Sequence, residues 1–249
     1  MLLTRASSLL FDSFLSLTHP QTCLLCRLSV ERRADGVVCE RCWEETRIFP
    51  PDQLVCWKCG VPAAGIIPRD KWNEVRCGRC DEQVFNAARA CGEYSGALRE
   101  TVLALKRQPY LPNRLLAELT AVCRREPLAA SARLVPVPLY PERQKRRGFN
   151  QAVVIARALS ESLQLPLDEV SLFRSVQSEK YRAGLDAKGR EETVMRAFAV
   201  RYPQLIRGEN ILLVDDVFTT GATSSACARA LMEAGAANVF VATLARPAW

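Results

Sequence analysis

Residues 211–223 read Ile-Leu-Leu-Val-Asp-Asp-Val-Phe-Thr-Thr-Gly-Ala-Thr, an apolar run that leads into two acids and a turn rich in hydroxyl groups. Four consecutive apolar residues predict a strand that is buried on both faces. The acids Asp215 and Asp216 end the strand, and the alanine-rich segment 222–234 that follows the turn has high helix propensity. The stretch therefore predicts a strand–turn–helix unit of an α/β sheet.

The turn has the composition of an anion-binding site. It can direct several backbone N–H groups, three hydroxyl groups and the positive end of a helix dipole at one phosphate. Its members are Thr219, Thr220, Gly221, Ala222 and Thr223. Asp215 and Asp216 beside it can hold the hydroxyl groups of a sugar or coordinate Mg²⁺ through water. The alternative is an ordinary helix cap, but two adjacent acids before Thr-Thr-Gly exceed what capping requires. The turn is neither a Walker A loop nor a dinucleotide fingerprint.

The size and composition of the chain limit the class of protein. Its 249 residues suit one α/β domain with a small accessory module. With 49% apolar and 24% charged residues, the chain is expected to be globular rather than disordered. The formal net charge of +7 permits contact with nucleic acid or with phosphorylated ligands.

The first residues resemble a signal peptide only superficially. Asp12 interrupts the apolar stretch, and no small-residue cleavage site follows. Leu3, Leu10, Phe14 and Leu17 fall near helical spacing and predict a short amphipathic helix. No apolar run reaches the ~20 residues that span a bilayer, so a cytoplasmic protein without a membrane span is expected.

Eight of the eleven cysteines form four Cys-x-x-Cys pairs. The pairs are Cys23/Cys26, Cys39/Cys42, Cys56/Cys59 and Cys77/Cys80. Their spacing resembles that of zinc ribbons and predicts up to two structural Zn²⁺ ions, with sequential and cross-braced pairing both open. A reducing compartment disfavours disulfides, and metal would supply the folding free energy that this region, poor in large apolar residues, lacks.

The remaining cysteines and the one histidine suggest structural roles. Cys91, Cys123 and Cys227 lie among apolar or small residues and are expected to be buried. His19 is the only histidine and is expected to be structural rather than a metal ligand.

The residue pattern in the middle of the chain predicts two helices, one ending near residues 105–106 and one beginning around Pro112. A strand that ends at Val135 is expected after them. A basic loop is expected after that strand. Four cations against Glu142 give residues 140–150 a net charge of +3, namely Arg143, Lys145, Arg146 and Arg147. The loop can contact pyrophosphate or nucleic acid, or it can be a solvated run of charge. Residues 174–196 are expected to form a loop or flap over a site.

Four motifs and the cysteine pairs together resemble the ComF family of bacterial phosphoribosyltransferase-like proteins. The motifs are Tyr94-x-Gly-x-Leu-Arg, Pro136-Val-Pro-Leu, Arg147-Gly-Phe-Asn-Gln151 and Val214-Asp-Asp-Val-x-Thr-Thr-Gly-Ala-Thr223. The resemblance implies a type I phosphoribosyltransferase fold, a parallel sheet flanked by helices and preceded by a small zinc-ribbon-like module. It also implies binding of 5-phosphoribosyl-1-pyrophosphate (PRPP) with Mg²⁺, and a role linked to DNA uptake or to the use of external DNA.

The resemblance assigns roles to individual residues. Residues 219–223 would anchor the 5-phosphate, and Asp215 and Asp216 would hold the ribose hydroxyl groups or the water ligands of Mg²⁺. Candidates for the pyrophosphate are Lys106, Arg143, Arg146 and Arg147. The activity would be pentosyl transfer, a glycosyltransferase reaction. The expected organisation is a helix and zinc-binding module over residues 1–85 and a phosphoribosyltransferase-like domain over residues 86–249.

A second hypothesis is a non-catalytic adaptor that binds single-stranded nucleic acid. The zinc module and the basic loop would then contact DNA and DNA-uptake machinery, and the phosphate site would be vestigial or regulatory.

Overall fold

A computed structural model describes residues 21–31, 34, 36–174 and 197–248. The predicted N-terminal helix, His19 and nearly all of the predicted flap lie outside the described residues. Six strands are present in the described part of the chain. They are β1 Ala87–Glu93, β2 Arg133–Pro136, β3 Leu172–Arg174, β4 Phe198–Val200, β5 Asn210–Val217 and β6 Asn238–Arg246.

Four of these strands form a parallel sheet in the order β1-β6-β5-β2, and β3 pairs with β4 in a separate antiparallel ribbon. The predicted strand before the acids is β5, and its residues 211–214 are fully buried. Val214 lies opposite Pro136 of β2, and Asp215 lies opposite Thr243 of β6. Because parallel strands end at the same edge of a sheet, the acids lie between the ends of two neighbouring strands.

The helices in the described residues are α1 Glu40–Glu44, α2 Gly96–Leu105, α3 Asn113–Cys123, α4 Pro141–Arg147, α5 Gln151–Leu163 and α6 Ala222–Glu233. The helices predicted before residue 106, after Pro112 and after Gly221 are confirmed. The prediction of a basic loop is wrong, because residues 141–147 form α4. Pro141 stands at the first position of this helix, and Gly148, at φ 80°, ends it.

The two faces of the sheet carry separate hydrophobic clusters, because successive side chains of a strand point to opposite faces. Leu212 and Val214 face a cluster formed with α2, α3 and α5. Ile211 and Leu213 face the other cluster, which α6 and the β3–β4 ribbon complete. Helices therefore lie on both faces of the parallel sheet, which is the architecture that the sequence of β5 predicted.

The cysteine-rich region packs against both faces of the sheet. Val30 and Trp43 belong to the first hydrophobic cluster, whereas Cys56, Cys59 and Cys80 belong to the second. The region therefore shares its buried residues with the sheet. The other three cysteines, Cys91, Cys123 and Cys227, are buried as predicted. Among the described residues, no helix combines the length and apolar character that crossing a membrane requires.

Candidate functional site

The turn after β5 is held in a conformation that glycine permits. Gly221 caps the N-terminus of α6 with φ 82°, a region that other residues rarely adopt. A Cβ atom there would lie 2.8 Å from Gln83 Oε1 and 2.8 Å from the ring of Phe218. The hydroxyl group of Thr220 accepts a hydrogen bond from the Ala222 N–H at 3.4 Å. Thr219, Thr220, Ala222 and Thr223 are exposed, so the N-terminus of α6 and these hydroxyl groups are open to a ligand.

The acid pair lies beside this turn and is in contact with Lys106. Asp215 Oδ1 accepts a hydrogen bond from the Asp216 N–H at 2.8 Å, and Lys106 Nζ lies 3.2 Å from Asp216 Oδ2. Burial, followed by the charge of Asp216, raises the pKa of Asp215 to about 8. Two crowded carboxylates, of which Asp215 has a raised pKa, fit a divalent cation or a cluster of sugar hydroxyl groups, because either relieves their repulsion.

Helix α4 begins close to this edge of the sheet, but its basic side chains extend into solvent. The Val137 N–H donates to Val214 O at 2.9 Å, so the chain leaves β2 alongside the acids. Arg143 and Arg146 are exposed and Arg147 is half-buried. Within the described residues, the cation in contact with the acid pair is Lys106.

Asn150, in the Arg-Gly-Phe-Asn-Gln motif, joins α5 to the end of β2. Its side chain accepts from the Ala152 N–H at 3.0 Å and donates to Val137 O at 2.9 Å. Its role is therefore to cap α5 and to fix the segment that carries α4.

Arg174 and Tyr140 are in contact beside the start of α4, and the sequence did not identify either of them as a site residue. The guanidinium carbon of Arg174 lies 3.4 Å from the ring centroid of Tyr140, directly before α4. It also lies 4.8 Å from the ring centroid of Phe198 in β4. No local sequence signal indicates this arrangement, because it joins three separate segments.

The eight paired cysteines form two clusters of four with sequential pairing, which excludes the cross-braced alternative. The first cluster contains Cys23, Cys26, Cys39 and Cys42, and the second contains Cys56, Cys59, Cys77 and Cys80. Within each cluster the sulfur atoms all lie within 4.8 Å of one another. Individual Sγ···Sγ distances include 3.9 Å for Cys23 and Cys42 and 3.6 Å for Cys56 and Cys80. Tetrahedral Zn–S bonds of about 2.3 Å require S···S edges of about 3.8 Å, so both clusters fit Zn²⁺.

The first knuckle of each cluster has the same turn. The Arg27 N–H donates to Cys23 O at 3.0 Å, and the Gly60 N–H donates to Cys56 O at 2.8 Å. Both turns need a positive φ, which is 66° at Arg27 and 71° at Gly60. Burial raises the pKa of the Cys56 thiol, but the N–H groups of Cys59 and Cys77 lower it more, to about 7. These backbone N–H groups therefore favour the thiolate form of Cys56, which a metal ion requires.

Two arginines balance the charge of the second cluster. Arg246 donates to Cys59 O at 2.6 Å, and Arg89 donates to Trp57 O at 2.8 Å. Burial lowers the pKa of Arg89 to about 10, and the nearby thiolates of Cys56 and Cys59 oppose this shift. Four thiolates around one Zn²⁺ carry a net charge of −2, which two guanidinium groups match.

The second cluster is also joined to the phosphate-type turn. Gln83 Nε2 lies 3.5 Å from Thr220 O, and the Val84 N–H donates to the hydroxyl group of Ser225 in α6 at 2.8 Å. A cavity of about 300 Å³ lies between the cluster and the turn. Its walls include Val61, Pro62, Arg79, Gln83, Phe218 and Thr220. No sequence pattern indicates the roles of Gln83 and Arg246, because their partners lie more than a hundred residues away.

Comparison with known proteins agrees with this arrangement. The model of the phosphoribosyl transferase domain family matches residues 146–248, which include β5, the acid pair and the turn. The DNA utilization protein YhgH of Escherichia coli K12 is 31% identical over 238 residues, which are 92% of this chain and 99% of that protein. Competence protein F of Haemophilus influenzae is 28% identical, over 90% of this chain and 96% of that protein.

A further relative extends the comparison. Competence protein ComFC of Bacillus subtilis is 28% identical, over 92% of this chain and 96% of that protein. The matches extend over nearly the whole of these relatives, and the phosphoribosyltransferase-type sheet and two four-cysteine clusters are present in the structure. The chain belongs to the ComF family of phosphoribosyltransferase-like proteins.

Proposed function

We propose that the chain binds PRPP with Mg²⁺ at the carboxyl edge of the sheet and transfers its phosphoribosyl group. The observation that carries this proposal is the position of three features at one edge: an open turn at a helix N-terminus, a crowded acid pair and Lys106. The turn suits a terminal phosphate, the acids suit ribose hydroxyl groups or a hydrated cation, and the amine suits a second anionic group.

In the proposed reaction a nucleophile forms a bond to C1 of the ribose while the C1–O bond to pyrophosphate breaks. Pyrophosphate leaves with the electron pair of that bond, and Mg²⁺, when bound, neutralises part of its charge. Residues 219–223 would fix the 5-phosphate, and Asp215 and Asp216 would orient the ribose. Lys106 would move from Asp216 to the pyrophosphate, with Arg143, Arg146 and Arg147 on α4 as further contacts. We also propose that residues 1–85 form a helix and zinc-binding module and that residues 86–249 form a phosphoribosyltransferase-like domain.

Titration calorimetry with PRPP and Mg²⁺ tests the proposal directly. We expect a measurable heat and a dissociation constant of about 1 mM or below. The double variant Asp215→Asn, Asp216→Asn should lose this binding and retain its fold by circular dichroism. Absence of both heat and thermal shift with the wild-type protein at several millimolar PRPP would reject the proposal.

The names of the relatives suggest the biological setting. Proteins called DNA utilization protein and competence protein are similar to this chain over most of its length. We propose that the chain acts in the same setting, the uptake or use of external DNA, in the cytoplasm.

Single-stranded DNA is a second candidate ligand, favoured by an aromatic groove beside the second cysteine cluster. Phe49, Trp57 and Trp72 line this groove. Arg69 lies over the ring of Trp72 at 5.2 Å, and Arg89 lies over that of Trp57 at 5.2 Å. Aromatic rings on which bases can stack, combined with cations for the backbone, are the means by which proteins bind single strands.

Tryptophan fluorescence with oligothymidylate measures this second activity. We expect quenching whose affinity falls steeply with salt, a weaker effect in Trp72→Ala, and a shallower salt slope when Arg143, Lys145, Arg146 and Arg147 are changed to Ala. If no quenching occurs at low salt, this second function is rejected while PRPP binding is unaffected.

A further inference from the structure

We infer that the first cysteine cluster is a site of thiol oxidation, at which a peroxide attacks Cys26, a disulfide forms between Cys26 and Cys39, and the metal ion of that cluster is released. The second cluster retains its ion under the same conditions. The inference concerns the surface of the cysteine-rich region and is independent of any ligand at the carboxyl edge of the sheet.

Accessibility to solvent distinguishes Cys26 from the other paired cysteines. All eight lie within the described residues, and of these Cys26 is exposed, Cys77 is half-buried and the remaining six are buried. Leu25 and Leu28 beside Cys26 are also exposed, at 41% and 57%, so the whole first knuckle lies at the surface. The thiolate is the nucleophilic form of cysteine, and metal ligation keeps a cysteine in that form. Cys26 is therefore the paired sulfur that a dissolved oxidant reaches first.

A second sulfur lies close to Cys26. The Sγ atoms of Cys26 and Cys39 are 3.5 Å apart. A disulfide bond is about 2.05 Å long, so an approach of about 1.5 Å joins the two atoms. Cys39 is buried directly before α1, and the exposed knuckle of Cys26 is the part that has room to move. The disulfide can therefore form without a rearrangement of the sheet.

The proposed reaction has two steps, with hydrogen peroxide as the oxidant. In the first step the Cys26 thiolate forms an S–O bond while the O–O bond of peroxide breaks, hydroxide leaves with the electron pair, and Cys26 becomes a sulfenic acid. In the second step the Cys39 thiolate attacks the sulfur of Cys26, the S–O bond breaks, and a second hydroxide leaves. Two thiolates have then given two electrons to one peroxide. A disulfide supplies no thiolate, so two of the four ligands remain, too few to retain Zn²⁺.

Buried cations protect the second cluster. Arg246 is 2% exposed and donates to Cys59 O at 2.6 Å. Arg89 is half-buried and interacts with the charges of Cys56 and Cys59. A positive charge close to a thiolate lowers its nucleophilicity, and two such charges offset the net charge of a four-thiolate zinc site. The half-buried Cys77 of this cluster is therefore expected to react more slowly than Cys26.

The cations near the first cluster give it less protection. Arg114 reaches α1, where it contacts the carboxylate of Glu40 at 2.7 Å, so its charge is already paired. Arg27 directly follows Cys26 but is exposed, and water and salt screen an exposed charge. The thiolate of Cys26 therefore combines access to solvent with nucleophilicity that no buried cation reduces within the described residues.

Zinc release from the reduced protein that carries two zinc ions tests the inference. On addition of millimolar hydrogen peroxide, we expect the first equivalent of zinc to appear at least tenfold faster than the second, as measured by the absorbance of the chelating dye 4-(2-pyridylazo)resorcinol. Mass spectrometry of tryptic peptides should find a disulfide between the peptide that ends at Arg27 and the one that ends at Arg41, with Cys26 and Cys39 as the joined residues. Dithiothreitol and zinc should restore the two-zinc protein.

Cys26→His separates oxidation of this thiolate from a general loss of metal. Imidazole is a ligand that Zn²⁺ accepts, but it cannot form the disulfide. The fast release should therefore become at least tenfold slower in this variant. Cys77→His makes the same change at the most accessible ligand of the second cluster, and as the matched control it should leave the fast release unchanged.

Equal release rates of the two equivalents would overturn the inference. Fast release that persists in Cys26→His would also overturn it, as would a wild-type protein that holds fewer than two zinc ions before oxidation. If either histidine variant fails to bind two ions, labelling of the wild-type protein with substoichiometric N-ethylmaleimide decides the question. We expect Cys26 to be modified first among the eight paired cysteines, and earlier modification of any other one rejects the inference.

Discussion

Lys106 Nζ lies 3.2 Å from Asp216 Oδ2, so the residue that follows α2 contacts the acid pair that ends β5. The two residues lie 110 positions apart in the chain, and the parallel order of β1, β6 and β5 brings their segments to one edge. In the absence of a ligand the amine neutralises one of two crowded carboxylates. The same amine is therefore positioned to exchange a carboxylate for an anionic group of an incoming ligand.

Changing Lys106 should weaken PRPP binding. Lys106→Met removes one charge-assisted contact, and we expect the dissociation constant to rise about 10- to 100-fold. Lys106→Arg should retain most of the affinity. Arg107→Met, at the exposed neighbouring position, is the control and should bind PRPP as the wild type does. Equal affinities of Lys106→Met and Arg107→Met would show that Lys106 does not contact the ligand.

The raised pKa of Asp215 predicts a pH dependence of stability. Aspartate titrates near about 3.9 in an unfolded chain, whereas burial beside Asp216 raises the pKa of Asp215 to about 8 in the folded protein. Between these values the folded state retains a proton that the unfolded state has released. The free energy of unfolding contributed by this group therefore falls as pH rises through this window and levels off above it.

Asp215→Asn should remove this dependence. The variant should match the wild type near about pH 4 and exceed it near about pH 9 by at least ~1 kcal/mol, a few degrees in melting temperature. Thermal melts of both proteins without ligand measure the difference. Asp52→Asn, at an exposed position, serves as the control. If the melting temperatures of Asp215→Asn and wild type differ by the same amount at every pH, the raised pKa of Asp215 is contradicted.

Gly221→Ala should damage the turn more than a comparable change elsewhere. The substituted residue would be strained at φ 82°, and its Cβ would collide with Gln83 and Phe218. Gly208 has a similar φ of 76° and open space around it, so Gly208→Ala isolates the backbone strain of about 1 kcal/mol. Denaturant unfolding should show a larger loss for Gly221→Ala, and calorimetry should show that only this variant loses PRPP binding.

The two cysteine clusters should differ in their effect on the proposed ligand site. Cys26→Ser and Cys77→Ser should each lower the zinc content from two ions per chain toward one. Because Gln83 and Val84 join the second cluster to Thr220 and Ser225, only Cys77→Ser should weaken PRPP binding. Elemental analysis and calorimetry provide the two readouts.

Cys123→Ser is the control for this comparison, because Cys123 is buried outside both clusters and should retain both ions. Wild-type protein purified without chelator that contains no zinc would refute the metal assignment. Equal PRPP affinity of Cys26→Ser and Cys77→Ser would refute the coupling between the second cluster and the turn.

The sequence predicted the parts of the site whose members are neighbours in the chain. Asp215, Asp216 and residues 219–223 lie within nine consecutive positions, so one strand–turn–helix unit places them together whatever the rest of the fold does. The cysteine pairs were likewise evident because a knuckle closes within four residues. Helix α4 also had a local signal, Pro141 at its start and Gly148 at its end, but the prolines that follow Val135 favoured an irregular loop in this part of the chain.

The sequence by itself determined the buried strand, the acid pair, the open turn and the four cysteine pairs, because each depends on residues within one or two turns of backbone. Only the tertiary structure decided that the knuckles pair sequentially, that Lys106 meets Asp216, and that Arg246 bonds to Cys59 beside a cavity at Thr220. These contacts join segments up to 187 residues apart. They depend on the order of strands in the sheet and on which face each segment covers, and no local pattern of residues encodes either.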